Sequence, residues 1–262
     1  MTEPACMKIS IITAVYNAAA TVGQAVASVD AQTGVDVEHI IVDGLSQDDT
    51  LAVIAGMGQG GRIVISEADR GIYDAINKGI ARANGDVIGV VHADDYLADD
   101  HVLSDIAAIF ADPAVEAVYG DLDYVQKSDT RRIVRHWQAG AYRPARLRRG
   151  WMPPHPTLFL RAKVFDRIGC YDPALRIAAD YDLILRYFST TTAEPVYLPR
   201  VLVKMRVGGE SNRSLDRILL KMREDRLALR RNGIGGWGTI AVKNLSKLRQ
   251  FVPFVSGQGR AS

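Results

Sequence analysis

Residues 88–96 read IGVVHADDY: an apolar run ends, and two adjacent carboxylates, Asp94 and Asp95, follow at its tip. Carboxylates at a strand end suit a hard divalent cation. Mg²⁺ and Mn²⁺ prefer oxygen ligands and take one or two protein carboxylates, while phosphate oxygens and water fill the other positions. His92 stands two residues before Asp94, where a further carboxylate would be welcome. The bland alternative is a helix cap, since Asp is favoured there. Asp99 and Asp100 lie nearer the next periodic apolar residues and serve that purpose better. Other apolar runs end in the same way: KISIITAVY in Asn17, EHIIV in Asp43, and RIVIS in Glu67 with Asp69.

The elements that must hold these residues alternate. Buried-type strands are expected over 8–16, 38–43, 62–66 and 86–91, with helices over 19–31, from Asp48–Asp49 through Met57, after Gly71, and over 102–110 until Pro113. Strands alternating with helices imply a mostly parallel sheet covered on both faces. Ligands then bind outside the carboxyl ends of the strands, where all of these polar groups fall. Beyond residue 115 the pattern changes. AVYGDLDYVQ and RRIVRHW read as a strand pair, and HPTLFL precedes a short helix over 161–168. ADYDLILRYF reads as a helix with an acidic start, 195–207 as one or two strands, and 214–231 as a strongly basic helix.

The 262 residues suffice for one large α/β domain or two small ones. The net charge of +2 hides an uneven distribution, with basic residues crowding 131–149 and 204–249. The two cysteines, Cys6 and Cys170, have no metal-ligand spacing and fit a reducing compartment. No secretory leader and no run of 18 apolar residues is expected. GxGxxG and GxxxxGK[ST] are both missing, so the usual glycine-rich phosphate cradles are excluded. A nucleotide at this edge would be held by carboxylates and a metal.

Four blocks, SIITAVYNAAATVGQAVASVDAQ, HIIVDGLSQDDT, SEADRGIYDAINKGIARANGDVIGVVHADDYL and AADYDLILRY, resemble the family 2 glycosyltransferases over residues 7 to about 213. The likeness is strongest to bacterial enzymes of exopolysaccharide and colanic-acid-type assembly. It implies the GT-A fold of nucleotide-diphospho-sugar transferases: an α/β architecture with a mostly parallel central sheet flanked by helices, here with a C-terminal helical extension. The expected division is 7–115 for the nucleotide, 116–213 for the acceptor, and 214–262 as a basic extension.

The resemblance assigns roles position by position. Asp43 falls where the family contacts the base, with Thr13 and Asn17 beside it; Asp69 falls where it contacts the nucleoside. Lys78 and Arg82 could face phosphate. Asp94 takes the last DxD position, the direct ligand of Mn²⁺ or Mg²⁺, with Asp95 as a neighbouring donor contact. His155 and Arg213 are candidates for the diphosphate, His155 also for the metal. Asp180 matches the base that deprotonates the acceptor hydroxyl in an inverting single displacement. Each has a plainer reading: a turn residue for Asp43, a helix cap for Asp180, a structural imidazole for His155.

Two positions depart from the family. His92 replaces the first DxD aspartate, and Ala179 replaces the glutamate before the base. Both bear on donor and acceptor identity more than on reaction class. The implied enzyme moves a sugar from a nucleotide sugar, a UDP-sugar by expectation, to a glycan or lipid-linked glycan acceptor in surface polysaccharide synthesis. The rival is a catalytically weak nucleotide-sugar binder in such an assembly. The basic C-terminal segment mixes Trp237, Ile240, Leu245, Leu248 and Phe251 with lysines and arginines. It suits peripheral contact with the inner face of the cytoplasmic membrane, and the alternative for that face is packing or a homodimer. No nucleic-acid-binding module is present.

Overall fold

A computed structural model describes residues 7–58, 61–207, 215–236 and 238–240. The first half forms β1 (Lys8–Val15), α1 (Val22–Asp30), β2 (Asp36–Asp43), α2 (Thr50–Gly56), β3 (Ile63–Ser66), α3 (Ile72–Ile80), β4 (Val87–Val90), β5 (Asp95–Leu97) and α4 (Val102–Phe110). The second forms β6 (Ala117–Val125), β7 (Ile133–Trp137), α5 (Pro144–Leu147), a 3-10 turn at His155–Thr157, β8 (Phe159–Arg161), α6 (Ala162–Ile168), α7 (Ala179–Thr190), β9 (Val196–Arg206) and α8 (Leu215–Arg231).

All these strands join one sheet in the order β3-β2-β1-β4-β8-β6-β9-β5, with β7 paired to β6. The parallel expectation holds from β3 to β4. Beyond β4 the sheet is mixed: β8 runs antiparallel to both β4 and β6, and β9 runs parallel to β6. The expected boundary at 115/116 does not divide the sheet, because β4 of the first half pairs with β8, and β5 with β9.

Period-two alternation along β1 sends Ile9 and Ile11 to one face and Ile12 and Ala14 to the other. One face packs against α1 and α4 through Ala25, Val29, Leu103 and Phe110. The opposite face packs against α3, α6, α7 and α8 through Ile76, Phe165, Ile184 and Leu229. Apolar side chains thus cover both faces, which accounts for the nearly unbroken apolar runs of the inner strands. The site residues lie along the second of these faces and at the strand ends.

The strand β5 is absent from the sequence reading. Three residues form it because they pair with β9 in the register Asp95↔Met205, Tyr96↔Lys204 and Leu97↔Val203. It turns the acidic pair into two different things. Consecutive side chains of an extended chain point to opposite sides, so Asp94 is half-buried while Asp95 is wholly buried.

Candidate active site

Two groups of polar residues form at the strand ends. The first lies over β1, β2 and β3. Asn17 adopts φ 48° after β1, and its Oδ1 accepts a hydrogen bond from the Gln47 N–H at 2.8 Å. Asn17 N–H donates to Ser46 Oγ at 2.9 Å, so the two loops are tied together. Asp43 ends β2 fully buried, accepting from the Ser46 N–H at 3.2 Å and the Ser66 hydroxyl at 2.7 Å. Asp69 lies against Gly44, where any Cβ would overlap its carboxylate, and accepts from the Gly71 N–H at 2.8 Å. Gly44 is therefore glycine because a side-chain carboxylate occupies the space a Cβ would need.

The second group comes from four separate segments. His92 and Asp94 follow β4, His155 opens the 3-10 turn, Tyr73 belongs to α3, and Tyr171 and Asp180 flank the entry to α7. The His92 and His155 rings have centroids 5.7 Å apart. His155 Nε2 shares a 2.7 Å hydrogen bond with the Tyr171 hydroxyl, and Tyr171 stacks on Tyr73 at 5.6 Å. The Tyr73 hydroxyl donates to the Ile177 carbonyl at 2.8 Å and stands 3.3 Å from Asp180 Oδ1. Asp180 itself is half-buried.

Burial governs the electrostatics here. It pulls the His155 imidazole down to about 4, against the opposing pull of Asp180. His92 is likewise lowered by burial, with Asp94 and Asp180 acting the other way. Both rings are therefore neutral hydrogen-bonding groups near neutral pH. Burial and the Asp180 charge push the Tyr73 hydroxyl well up. His92 Nδ1 is enclosed without a hydrogen-bond partner.

Several expectations change. Asp95 is not a donor contact: it is fully buried in β5, and burial and the neighbouring Asp94 raise its carboxyl, opposed by the Arg206 backbone N–H and charge. Thr13 is also fully buried, its hydroxyl 2.9 Å from His39 Nε2, and presents no atom at the strand ends. Lys78 donates to the Ala68 carbonyl at 2.6 Å and pairs with Glu67 at 3.0 Å, which braces the loop carrying Asp69. His155 gives Nε2 to Tyr171, so that nitrogen is not available as a metal ligand. Arg213 and the residues of the basic segment beyond 240 lie outside the described residues.

Among the described residues no group of three acidic, histidine or cysteine side chains forms a ready metal cage. Asp94 nonetheless fits a hard cation shared with a diphosphate, which takes one or two protein carboxylates and draws its remaining ligands from phosphate and water. Its carboxylate is half-buried, and its backbone is fixed by Arg206. That guanidinium donates to the Asp94 carbonyl and to Gln24 Oε1 and lies over the Tyr96 ring at 5.4 Å.

Sequence reasoning did not assign roles to Tyr171, Asn77, Arg206 or Glu224. Asn77 donates to the Tyr171 carbonyl at 2.8 Å and accepts from the Tyr171 N–H at 3.0 Å. The spacing of Tyr73 and Asn77, four apart on one helix face, is a signal that could have found them. Nothing in the sequence marks Arg206 or Glu224, because their partners are far away in the chain.

Comparison with known proteins gives a consistent picture. The family described as Glycosyl transferase family 2 matches residues 10–175. A PGL/p-HBAD biosynthesis glycosyltransferase of Mycobacterium tuberculosis is 33% identical over 217 residues, covering 81% of this chain and 82% of that one. An uncharacterized glycosyltransferase of the same species is 32% identical over 77% of this chain and 76% of its own. Among solved structures, S. aureus TarS 1-349 in complex with UDP-GlcNAc superposes with TM-score 0.69 at 18% identity, over 85% of this chain and 66% of that chain. Against a longer TarS chain the match spans only 40% of its length. The mannosyltransferase PcManGT from Pyrobaculum calidifontis, in complex with GDP-Man and Mn²⁺, gives 0.62 at 15% identity, over 93% of this chain and 69% of that one.

Proposed function

The chain belongs to glycosyl transferase family 2, and we propose that it is an inverting enzyme moving a sugar from a nucleoside diphosphate donor to an acceptor hydroxyl. The observation that carries this reading is Asp180. It is a half-buried carboxylate at the start of α7, grouped with His92, His155 and Tyr73 and reached through electrostatic contact with the Asp94 turn. A carboxylate so held can take the proton of an attacking hydroxyl. Asp69 and Asn17 would receive the nucleoside at the other end of the edge, with the buried Asp43 carboxylate holding the Ser46 loop beneath them.

Asp94 would hold a divalent cation against the donor diphosphate, and the cation would supply positive charge to the departing phosphate. His92 and His155, both neutral, would offer hydrogen bonds between that end and Asp180. A UDP-sugar is the expected donor, in line with the uridine nucleotide bound by the TarS neighbour. The GDP-mannose neighbour keeps a guanosine donor in the test.

A lipid-linked glycan acceptor in surface polysaccharide assembly is supported by the outer face of α8. Leu219 and Leu227 are 55% and 40% exposed there, beside exposed Arg223, Arg230 and Arg231. The acidic Glu224 and Asp225 are turned inward. Such a face suits the anionic inner surface of the cytoplasmic membrane, and no helix among the described residues is long and apolar enough to cross it.

The test is turnover of UDP- and GDP-sugars by the purified chain, with and without Mn²⁺, measured as nucleoside diphosphate release with a polyprenyl-linked sugar acceptor. Release that needs metal and disappears in Asp180→Asn supports the reading. Donor binding with no release in the presence of acceptor overturns it and leaves the weak-binder alternative, which the His92 and Ala179 replacements favour.

A further inference from the structure

Glu224 lies on α8, beyond the residues matched by the family. Its side chain is turned inward and 7% exposed. There it accepts hydrogen bonds from three consecutive backbone N–H groups: Arg176 at 3.0 Å to Oε1, and Ile177 and Ala178 at 2.8 and 2.9 Å to Oε2. These three residues immediately precede α7, and Asp180 is the second residue of that helix.

The arrangement answers a need of the local sequence. The first turn of any helix leaves N–H groups without intrahelical partners, and a side-chain oxygen at the cap usually satisfies them. The residue at the cap of α7 is Ala178, with no side chain able to do so. Ala179, which follows, is fully buried and also lacks a polar group. A carboxylate from another helix instead fixes the approach to α7, taking the N–H of Ala178 and of the two residues before it, and ionised acceptors make stronger bonds than neutral ones.

The same stretch is gripped from the other side. Tyr73 donates to the Ile177 carbonyl, while the Ile177 N–H goes to Glu224. One peptide-flanking residue thus has its N–H fixed by α8 and its C=O fixed by α3, three positions before Asp180. A neutral amide in place of Glu224 keeps one oxygen for part of this set but turns its NH2 donors toward the rest, so at least one backbone N–H loses its acceptor.

We propose that Glu224 is a positioning residue for the base: α8 sets the direction in which the Asp180 carboxylate faces the acceptor hydroxyl. This rests on Asp180 acting as the base. A base must lie within hydrogen-bond reach of the proton it takes, so loosening residues 176–178 lowers turnover without touching the donor.

The experiment compares Glu224→Gln, Glu224→Asp, Leu229→Ala and Asp180→Asn in the full chain. Leu229→Ala is the structural control, because Leu229 is a fully buried α8 residue of the core. Expected is a kcat loss of at least about tenfold in Glu224→Gln, with donor KM within about twofold of the parent, since positioning acts on the barrier and not on donor affinity. Glu224→Asp keeps the charge with a shorter reach and retains more kcat than Glu224→Gln. Leu229→Ala lowers the melting temperature but keeps kcat well below that temperature. If Glu224→Gln fails to fold, Glu224→Asp still decides through the same kcat and KM comparison.

Unchanged kcat in the folded Glu224 variants, or an equal kcat loss in Leu229→Ala at matched stability, overturns the positioning role while leaving Asp180 as base. Retained turnover in Asp180→Asn overturns the base itself, and the role of Glu224 with it.

Discussion

The Tyr73 hydroxyl of α3 and the Asp180 carboxylate of α7 stand 3.3 Å apart, although 107 positions separate them in the chain. The phenol spends its proton chiefly on the Ile177 carbonyl at 2.8 Å, while Asp180 Oδ1 accepts from the Tyr181 N–H at 2.7 Å. Asp180→Asn, nearly isosteric but no base, is expected to lower kcat by about 10²–10⁴-fold. Donor binding, read by thermal shift with nucleotide sugar, stays intact. Loss of donor binding in this variant would mean that Asp180 serves the donor.

Gly44 supplies a sharper probe of the nucleoside end. A Cβ at this position overlaps the Asp69 carboxylate, the movable end of a side chain. Gly44→Ala is therefore expected to change folding stability by no more than about 1 kcal/mol. Donor affinity should fall by roughly tenfold, equivalent to about 1.4 kcal/mol. Isothermal titration with the donor nucleotide checks it, and unchanged affinity would remove Asp69 from the nucleoside site.

Arg206 fixes the Asp94 turn from the far end of the sheet. It is 7% exposed and binds the Asp94 carbonyl and Gln24 while facing Tyr96. Arg206→Met removes both hydrogen bonds and leaves Asp95 without its cationic neighbour. The expected destabilisation is about 2–4 kcal/mol by denaturant titration. The Mn²⁺ concentration giving half-maximal stabilisation by donor should rise in the same variant. A variant with parental metal dependence would separate the turn from the cation.

Acid should weaken the fold through His39. Burial holds its imidazole at about 4, below its ordinary 6.5, so the unfolded chain binds the proton first as pH falls. The stability contributed by the neutral ring is complete above about pH 6.5, declines through the window down to about 4, and levels off below it. The loss is on the order of 3 kcal/mol at 1.36 kcal/mol per pH unit. His155, also near 4 through burial, acts in the same direction. Denaturant melts across this window should show a shallower slope in His39→Gln, whose amide can still meet the Thr13 hydroxyl; an unchanged slope would deny His39 its share.

The alternation of apolar runs with amphipathic helices made most elements readable, and the acidic residues fall at the strand ends as the sequence suggests. The legible part was local. β1, β2 and β4 announce themselves because each buries both faces, the edge strand β3 by its β-branched run alone, and Asn17, Asp43 and Asp69 follow directly from where those strands stop. β5 stayed hidden because three residues carry no periodicity, and only pairing with β9 makes them a strand. That pairing is also why Asp94 and Asp95, identical and adjacent in sequence, differ in exposure. Thr13 shows the same limit: its partner His39 sits on a neighbouring strand, so the hydroxyl that marks a strand end in sequence is consumed inside the sheet.

The pairing of β5 with β9 also sets a schedule. Synthesis delivers Asp95 long before its strand partner Met205 and the adjoining Arg206. Until β9 emerges from the ribosome, the Asp94 turn has no strand to lean on and the Asp95 carboxylate stays hydrated. Closure of such distant partners is a slow, late event in folding. The nascent protein therefore completes the Asp94 turn only after β9 has been made, and a fragment ending before β9 lacks the strand that holds it.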